Sequence, residues 1–331
     1  MPAGLIFDES KHYLDHLGPF CALMGWPLIV CEDSMAELAK KYYPDLEVIE
    51  KDPFELAQPS HIVACDTRPL LQAAFPRWRF ETIKTFWLPH GNSDKGWNTL
   101  FFEALEKEPY ALVYGQKMID FMKAKNVDPQ MFLVGNFRYS YFQRHRAFYE
   151  KLLPALPRKT TFLYAPTWDD GEGSNSFWKA FPVLADSLPN TMNLLVKLHP
   201  NTRRQFEFEL ERLMGQYERK KNIFFLEEFP PIYPLLHLCD AYIGDMSSIG
   251  YDFLTLRKPM FFLNSNQRDQ KTDKGLYLFR CGLEISPHQY RSLFQQYNGA
   301  NPFSEIQKET CEYTFAPLPN WAEFKNRLLA L

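Results

Sequence analysis

Short apolar runs, each closed by a polar or glycine-containing turn, alternate along the chain with longer segments in which apolar residues recur at spacings of three and four. The first kind suits a strand buried on both faces of a parallel sheet, and the second suits the helix that crosses over to the next strand. Together they predict repeated βαβ units. In the first half the runs fall at Gly4–Phe7, Pro27–Cys31, Leu46–Ile49, His61–Cys65, Thr85–Leu88, Ala111–Tyr114 and Met131–Val134, with helical segments at Met35–Tyr43, Pro69–Phe75 and Gln116–Lys125. The second half repeats the alternation at Thr161–Tyr164, Leu194–Lys197, Ile223–Leu226, Ala241–Ile243, Pro259–Leu263 and Leu283–Ile285, with helices over Arg203–Arg219, Tyr233–Leu238 and Ser247–Leu256.

One break in the pattern reads as a linker: Leu153–Lys159, LPALPRK, sets two prolines between a strongly helical stretch and a new strand. The length of 331 residues also exceeds one typical domain of about 100–200 residues. The expectation is an α/β protein of two Rossmann-like, doubly wound domains, residues 1–152 and 153–331. The last segment, Trp321–Leu331, is helical in period and by analogy of topology packs back on the first domain.

Composition excludes several classes of function. With 46% apolar and 23% charged residues the chain has enough to bury two cores, so disorder is excluded. A net charge of −3 gives no global electrostatic reason to approach nucleic acid or an anionic membrane, which leaves only a local basic patch. The six cysteines are scattered, none in a CxxC pair, and several sit in apolar runs such as PLIVC and HIVAC, which reads as buried thiols in a reducing compartment and not as a zinc site. The N-terminal MPAGLIFDES lacks the basic and apolar regions of a signal peptide, and no apolar stretch is long enough to span a bilayer. A cytoplasmic protein is expected, with membrane contact confined to its periphery at the inner face. Tyr139–Lys151, YSYFQRHRAFYEK, is the one basic amphipathic candidate for such contact, or else a helix packed by its aromatics.

Ligands of open α/β sheets bind beyond the carboxyl ends of the strands, so the residues that follow each apolar run carry the candidate chemistry. Four ends stand out. In FWLPHGNSDKG the strand delivers His90 and Gly91 into a polar turn, where the imidazole could exchange a proton or merely cap the turn, and Lys95 could meet a phosphate or only solvent. In FLYAPTWDDGEGSNSFW, Thr167 offers a hydroxyl to a phosphate, and Trp168 a face to a base or sugar unless it packs under the loop. In LLVKLHPNTRR, Lys197 and His199 alternate along the strand end and so share a face, and a lysine inside an apolar run calls for an anionic partner. In CDAYIGDMSSIGYDFLTLRKPMFF, Asp245 follows a buried strand while Ser247 and Ser248 open a helix with Asp252 one turn on, a start that suits a diphosphate or an ordinary N-cap.

These four segments, in this order and at these strand ends, resemble the CDP-glycerol glycerophosphotransferase family, which primes and polymerises teichoic acids. The family pattern of a histidine-glycine turn, YAPTW, KLHP and D-x-SS-x-x-x-D followed by a KP strand stands here as His90-Gly91, Tyr164–Trp168, Lys197–Pro200, and Asp245–Asp252 with Lys258-Pro259. Four ordered motifs are far more specific than any one of them. Three positions depart: Asp169 where arginine is common after YAPTW, Gly244 where threonine precedes the motif aspartate, and NSDKG in place of a Thr-Pro turn.

The resemblance implies a GT-B fold, two Rossmann-like domains facing a cleft, with the nucleotide held mainly by the second and the acceptor met by the first. It implies transfer of glycerol phosphate, or a similar polyol phosphate, from a CDP-activated donor to an acceptor hydroxyl on a glycan or lipid-linked precursor, releasing CMP. On that reading His90 and His199 are the catalytic pair, His90 as the base. Gly91, Lys95, Thr167, Trp168, Lys197, Asp245, Ser247, Ser248 and Asp252 hold the donor. No metal or further cofactor is required, and no nucleic acid is a partner. Alternatives are a GT-B glycosyltransferase or epimerase acting on a nucleotide sugar, and a non-catalytic nucleotide-binding protein.

Overall fold

The computed structural model describes residues 1–97, 103–170, 172–226 and 228–331. Its apolar runs form two parallel sheets. The first contains β1 (Pro2–Ile6), β2 (Leu28–Val30), β3 (Val48–Glu50), β4 (His61–Ala64), β5 (Lys84–Trp87), β6 (Tyr110–Val113) and β7 (Gln130–Leu133), in the order β3-β2-β1-β4-β5-β6-β7. The second contains β8 (Thr160–Ala165), β9 (Met192–Lys197), β10 (Ile223–Leu226), β11 (Ala241–Gly244), β12 (Met260–Leu263) and β13 (Leu283–Ile285), in the order β10-β9-β8-β11-β12-β13. Every expected strand is present, with ends that differ by no more than two residues, and Ile223–Leu226 and Leu283–Ile285 match their expected bounds.

Packing divides the chain into two compact units: Met1–Asn92, Leu100–Lys151 and Tyr313–Leu331 form one, and Ser93–Thr99 with Leu152–Glu312 form the other. Helices cover the central strands of each sheet, so β11 is buried along its whole length and β1 along all but its first residue. In the first unit Phe75 stacks on Trp78 at 4.1 Å over Ile62, Ala64 and Leu71. In the second, Phe177 and Phe181 stack at 5.1 Å and join Tyr164, Leu194, Ile243 and Phe261 in one core. Burying such rings is the main source of stability in both units.

The chain's last residues belong to the first unit. Trp321 of the helix Trp321–Leu329 meets Phe20 and Phe137 edge-on at 6.1 and 6.5 Å, and Phe324 meets Phe132 at 6.3 Å. The returning strand of backbone is pinned where the amide of Ala316 donates to the carbonyl of Tyr114 at 2.9 Å. Gly135, at φ +62°, lies under this segment, and a Cβ there would collide with the carbonyl of Ala316. Glycine is therefore required twice over, by conformation and by space.

The basic segment Tyr139–Lys151 breaks at His145 into helices Phe137–Arg144 and Arg146–Glu150. Its apolar side is spent inside the first unit, where Tyr141, Phe142 and Tyr149 are buried and the Tyr149 hydroxyl donates to the Tyr42 carbonyl at 2.8 Å. Among the described residues no helix is long and apolar enough to cross a membrane.

Candidate functional site

Each sheet has one topological switch point, the gap between two neighbouring strands whose connections leave in opposite directions. In the first sheet it lies between β1 and β4, and in the second between β8 and β11. The motif residues follow these strands or their immediate neighbours.

At the switch point of the second sheet, the amide of Thr167 donates to Asp245 Oδ1 at 2.8 Å, while the amide and hydroxyl of Ser176 donate to Oδ2 at 3.0 and 2.8 Å. Asp245 is fully buried, and burial raises its carboxyl to about 6 against the pull of these hydrogen bonds. Its side chain thus fixes the loops after β8 and β11 to one another. Gly244 explains one departure from the family pattern: a Cβ here would overlap the hydroxyl of Tyr242. Threonine at that position would require the Tyr242 ring to move.

Trp168 is half-buried and stacks on the ring of His199, with centroids 5.9 Å apart and planes 30° apart. The alternation read from sequence places His199 on the strand beside Lys197, and here the structure corrects it. β9 ends at Lys197, and His199 is the N-cap of the helix Pro200–Tyr217, its Nδ1 accepting from the amide of Asn201 at 3.2 Å. The reason is Pro200, which has no amide proton to lose and a φ preset for a first helical turn. Lys197 donates to the carbonyl of Phe229 at 3.0 Å.

Ser247 and Ser248 are half-buried ahead of the helix Ile249–Phe253, whose five residues give too short a dipole to matter much. The hydroxyls are the stronger feature. Asp252 is buried and accepts from the Tyr233 hydroxyl at 3.3 Å, which makes it a brace for this turn.

The segment after His90-Gly91-Asn92 belongs to the second unit. Asp94 is buried there and accepts from the Tyr251 hydroxyl at 2.6 Å and the Leu278 amide at 3.2 Å. Lys95 donates to the Thr167 hydroxyl, pairs with Asp170 at 2.5 Å and lies 6.0 Å from the Trp168 ring, and the Gly96 amide donates to Glu172 at 2.7 Å. Lys95, Thr167, Trp168 and His199 therefore form one contiguous group.

In the first unit His90 follows β5, and Gly91 stands at φ +120°, a conformation other residues avoid. The carbonyl of Pro89 is held by the hydroxyl of Tyr114 at 3.1 Å, which in turn meets Nδ1 of His16 at 2.6 Å. Burial, with the charge of Arg138, keeps His16 well below the usual imidazole range, so it is neutral. The ring of His90 is flanked by His12 edge-on at 5.2 Å and by Tyr13 at 5.4 Å. Tyr13 donates to Asp66 at 3.3 Å. The sequence reading did not single out His12, Tyr13, Asp66, Asp94 or Ser176. A carboxylate immediately after the apolar run HIVAC was the available signal for Asp66. Among the described residues no group of three or more His, Cys, Asp or Glu is arranged to hold a metal ion.

A profile of the family described as CDP-Glycerol:Poly(glycerophosphate) glycerophosphotransferase matches residues 118–279, which include three of the four motifs. The teichoic acid ribitol-phosphate polymerase TarL of Staphylococcus aureus (strain NCTC 8325 / PS 47) is 23% identical over 246 residues, 68% of this chain and 42% of that protein. The chain thus spans less than half the length of this curated relative. A histidine variant of the wall teichoic acid polymerase TagF superposes with a TM-score of 0.65 over 99% of this chain and 88% of that one at 15% identity. Anabaena HepE in complex with UDP and glucose superposes with a TM-score of 0.55 over 100% of this chain and 98% of that one at 9% identity. These likenesses establish the fold, two parallel α/β sheets of the GT-B class. The resemblance to the CDP-glycerol glycerophosphotransferase family that the four motifs carry is borne out.

Proposed function

We propose, on the premise that this chain is a relative of the CDP-glycerol glycerophosphotransferases, that it transfers glycerol phosphate or a similar polyol phosphate from a CDP-activated donor to an acceptor hydroxyl, releasing CMP. The observation that supports this most is the grouping of Lys95, Thr167, Trp168 and His199 about the β8–β11 switch point, with Ser247 and Ser248 following β11. Such a set offers a cation, hydroxyls, an imidazole and an aromatic face, the groups a nucleoside diphosphate ester requires.

In the proposed reaction the acceptor oxygen attacks the donor's β-phosphorus as the bond from that phosphorus to the bridging oxygen breaks. CMP leaves with the bridging oxygen, and His90 takes the proton of the attacking hydroxyl. His199, Lys197 and Lys95 carry the charge on the transferred phosphate, while Ser247, Ser248 and Thr167 hold the diphosphate and Trp168 lies against the nucleoside or polyol. Asp245 and Asp252 act one layer back, by holding the loops. The first unit serves the acceptor, and the second, to which Lys95 belongs, serves the donor. The reaction as proposed needs no cofactor, and contact with a membrane would be peripheral, from the cytoplasmic side.

The test is CMP release from CDP-glycerol, CDP-ribitol and a UDP-sugar offered in parallel, with wild type and His90→Ala. CMP formed from a CDP-polyol and lost in the variant supports the assignment. Turnover of the UDP-sugar alone favours the nucleotide-sugar alternative. Binding of every donor without turnover of any favours the non-catalytic one.

A further inference from the structure

We propose that Asp66, with Tyr13 and His12 beside His90, forms a subsite for the hydroxyl groups of a neutral, polyhydroxylated acceptor end, a sugar or a polyol. The proposal rests on His90 being the acceptor-side base and supplies what that reading leaves open, the chemistry of the acceptor.

Position comes first. β1, β4 and β5 are adjacent in the first sheet, with Gly4 paired to Val63 and Ala64 to Trp87. Asp8, Asp66 and His90 each follow one of these strands, and His12 and Tyr13 lie in the turn Lys11–Tyr13 shortly after β1. The group therefore straddles the switch point of its sheet, the place where an open α/β sheet takes a ligand.

Asp66 has capacity to spare. It is 8% exposed, its Oδ1 accepts from the Tyr13 hydroxyl, and its Oδ2 is buried without a hydrogen-bond partner. A carboxylate oxygen left so is costly unless something arrives to donate to it. The contrast with the second sheet is direct. Asp245 occupies the corresponding place, after the strand beside the first of its sheet, and both its oxygens are filled by the loops it holds. Asp245 is built to hold a loop, whereas Asp66 is left to receive a donor. Asn92, two residues after His90, is also buried with both side-chain amide atoms unpartnered.

The surroundings select the ligand. The rings of His12, Tyr13 and His90 lie 4.5 to 5.4 Å apart and offer faces for the C–H side of a sugar or polyol, while the carboxylate takes its hydroxyls. Asp8 is close enough to raise Asp66 further once burial has done so, to about 6, and the carboxylate is still ionised at neutral pH. Two carboxylates in one corner repel an acceptor that ends in a phosphate and accept one that ends in hydroxyls.

The test is saturation-transfer NMR on the whole chain with three probes: glycerol, methyl N-acetylglucosaminide and glycerol 3-phosphate. The two neutral probes separate a polyol from a sugar, and the third is the anionic control. At least one neutral probe is expected to bind wild type more tightly than glycerol 3-phosphate does. Asp66→Asn is expected to weaken that probe by about tenfold or more, the loss of one charge-assisted hydrogen bond, and Tyr13→Phe by less in the same direction. No neutral probe bound by wild type, tighter binding of the phosphate, or an unchanged affinity in folded Asp66→Asn overturns the subsite. If Asp66→Asn does not fold, Tyr13→Phe decides by the same criterion. No donor is present in this experiment, so a failure of CMP release would strike the transferase reading and leave the probe binding to be judged by itself.

Discussion

The amide of Thr167 and the carboxylate of Asp245 meet at 2.8 Å across the switch point of the second sheet, joining residues 78 positions apart. With Ser176 filling the other oxygen, this contact sets where Trp168 stands against His199.

Asp245→Asn should therefore reach beyond its own hydrogen bonds. An amide can accept on only one side, so its NH2 group would face either the Thr167 amide or the Ser176 donors, at a cost of about 1–3 kcal/mol. Urea unfolding should show that loss, and calorimetry with CMP should show weaker binding because Thr167 and Trp168 lose their anchor. Full CMP affinity in the variant would mean that the loop is held by other contacts.

His199 has two tasks that a substitution can separate. Asparagine caps a helix about as well as any residue, so His199→Asn should leave the helix Pro200–Tyr217 and the melting temperature nearly unchanged. It removes the imidazole from the proposed phosphate site, and CMP release from CDP-glycerol should fall by roughly a hundredfold or more. Unchanged turnover would reduce His199 to a cap.

Glu108 makes stability depend on pH. It is 5% exposed, and burial raises its carboxyl from 4.5 to about 7, although the Arg68 amide and charge pull the other way. The folded chain holds this proton up to about pH 7 and the unfolded chain releases it near 4.5, so stability contributed at low pH is lost as pH rises through that window. The total is about 3 kcal/mol from Glu108. Glu108→Gln, which can still accept from the Arg68 amide, should flatten that part of the melting-temperature curve. Parallel curves for variant and wild type would count against the shift.

Gly135→Ala tests the return of the C-terminal segment. The left-handed conformation alone costs about 1–2 kcal/mol with a Cβ, and the collision with the Ala316 carbonyl adds to it. The expected result is a lower melting temperature with earlier protease cleavage near Ala316, and no change in either would mean the backbone there moves aside freely.

The strands and their ends were legible because a strand buried on both faces shows itself as an uninterrupted apolar run, and the chemistry follows where the run stops. His199 departs from the strand alternation because Pro200 starts a helix there, a signal that stands in the sequence. Tyr13 and His12 were not legible, and Asp66 only as a carboxylate after an apolar run. Their meaning depends on β4 lying beside β1, and strand order is a property of the sheet that no local pattern encodes. Asp94 escaped for a similar reason, since its partner Tyr251 is 157 residues away.

The division of the chain also governs how it can be made. The stretch Leu152–Glu312 of the second unit is synthesised before the first unit has received Tyr313–Leu331, the segment that packs on Phe20, Phe137 and Phe132. During translation the first unit must therefore wait, with that apolar surface uncovered, until an entire sheet has been made. A nascent chain stalled before Tyr313 would hold a whole second unit and a first unit lacking only its closing segment, and it is the earlier-made unit that would call on a chaperone.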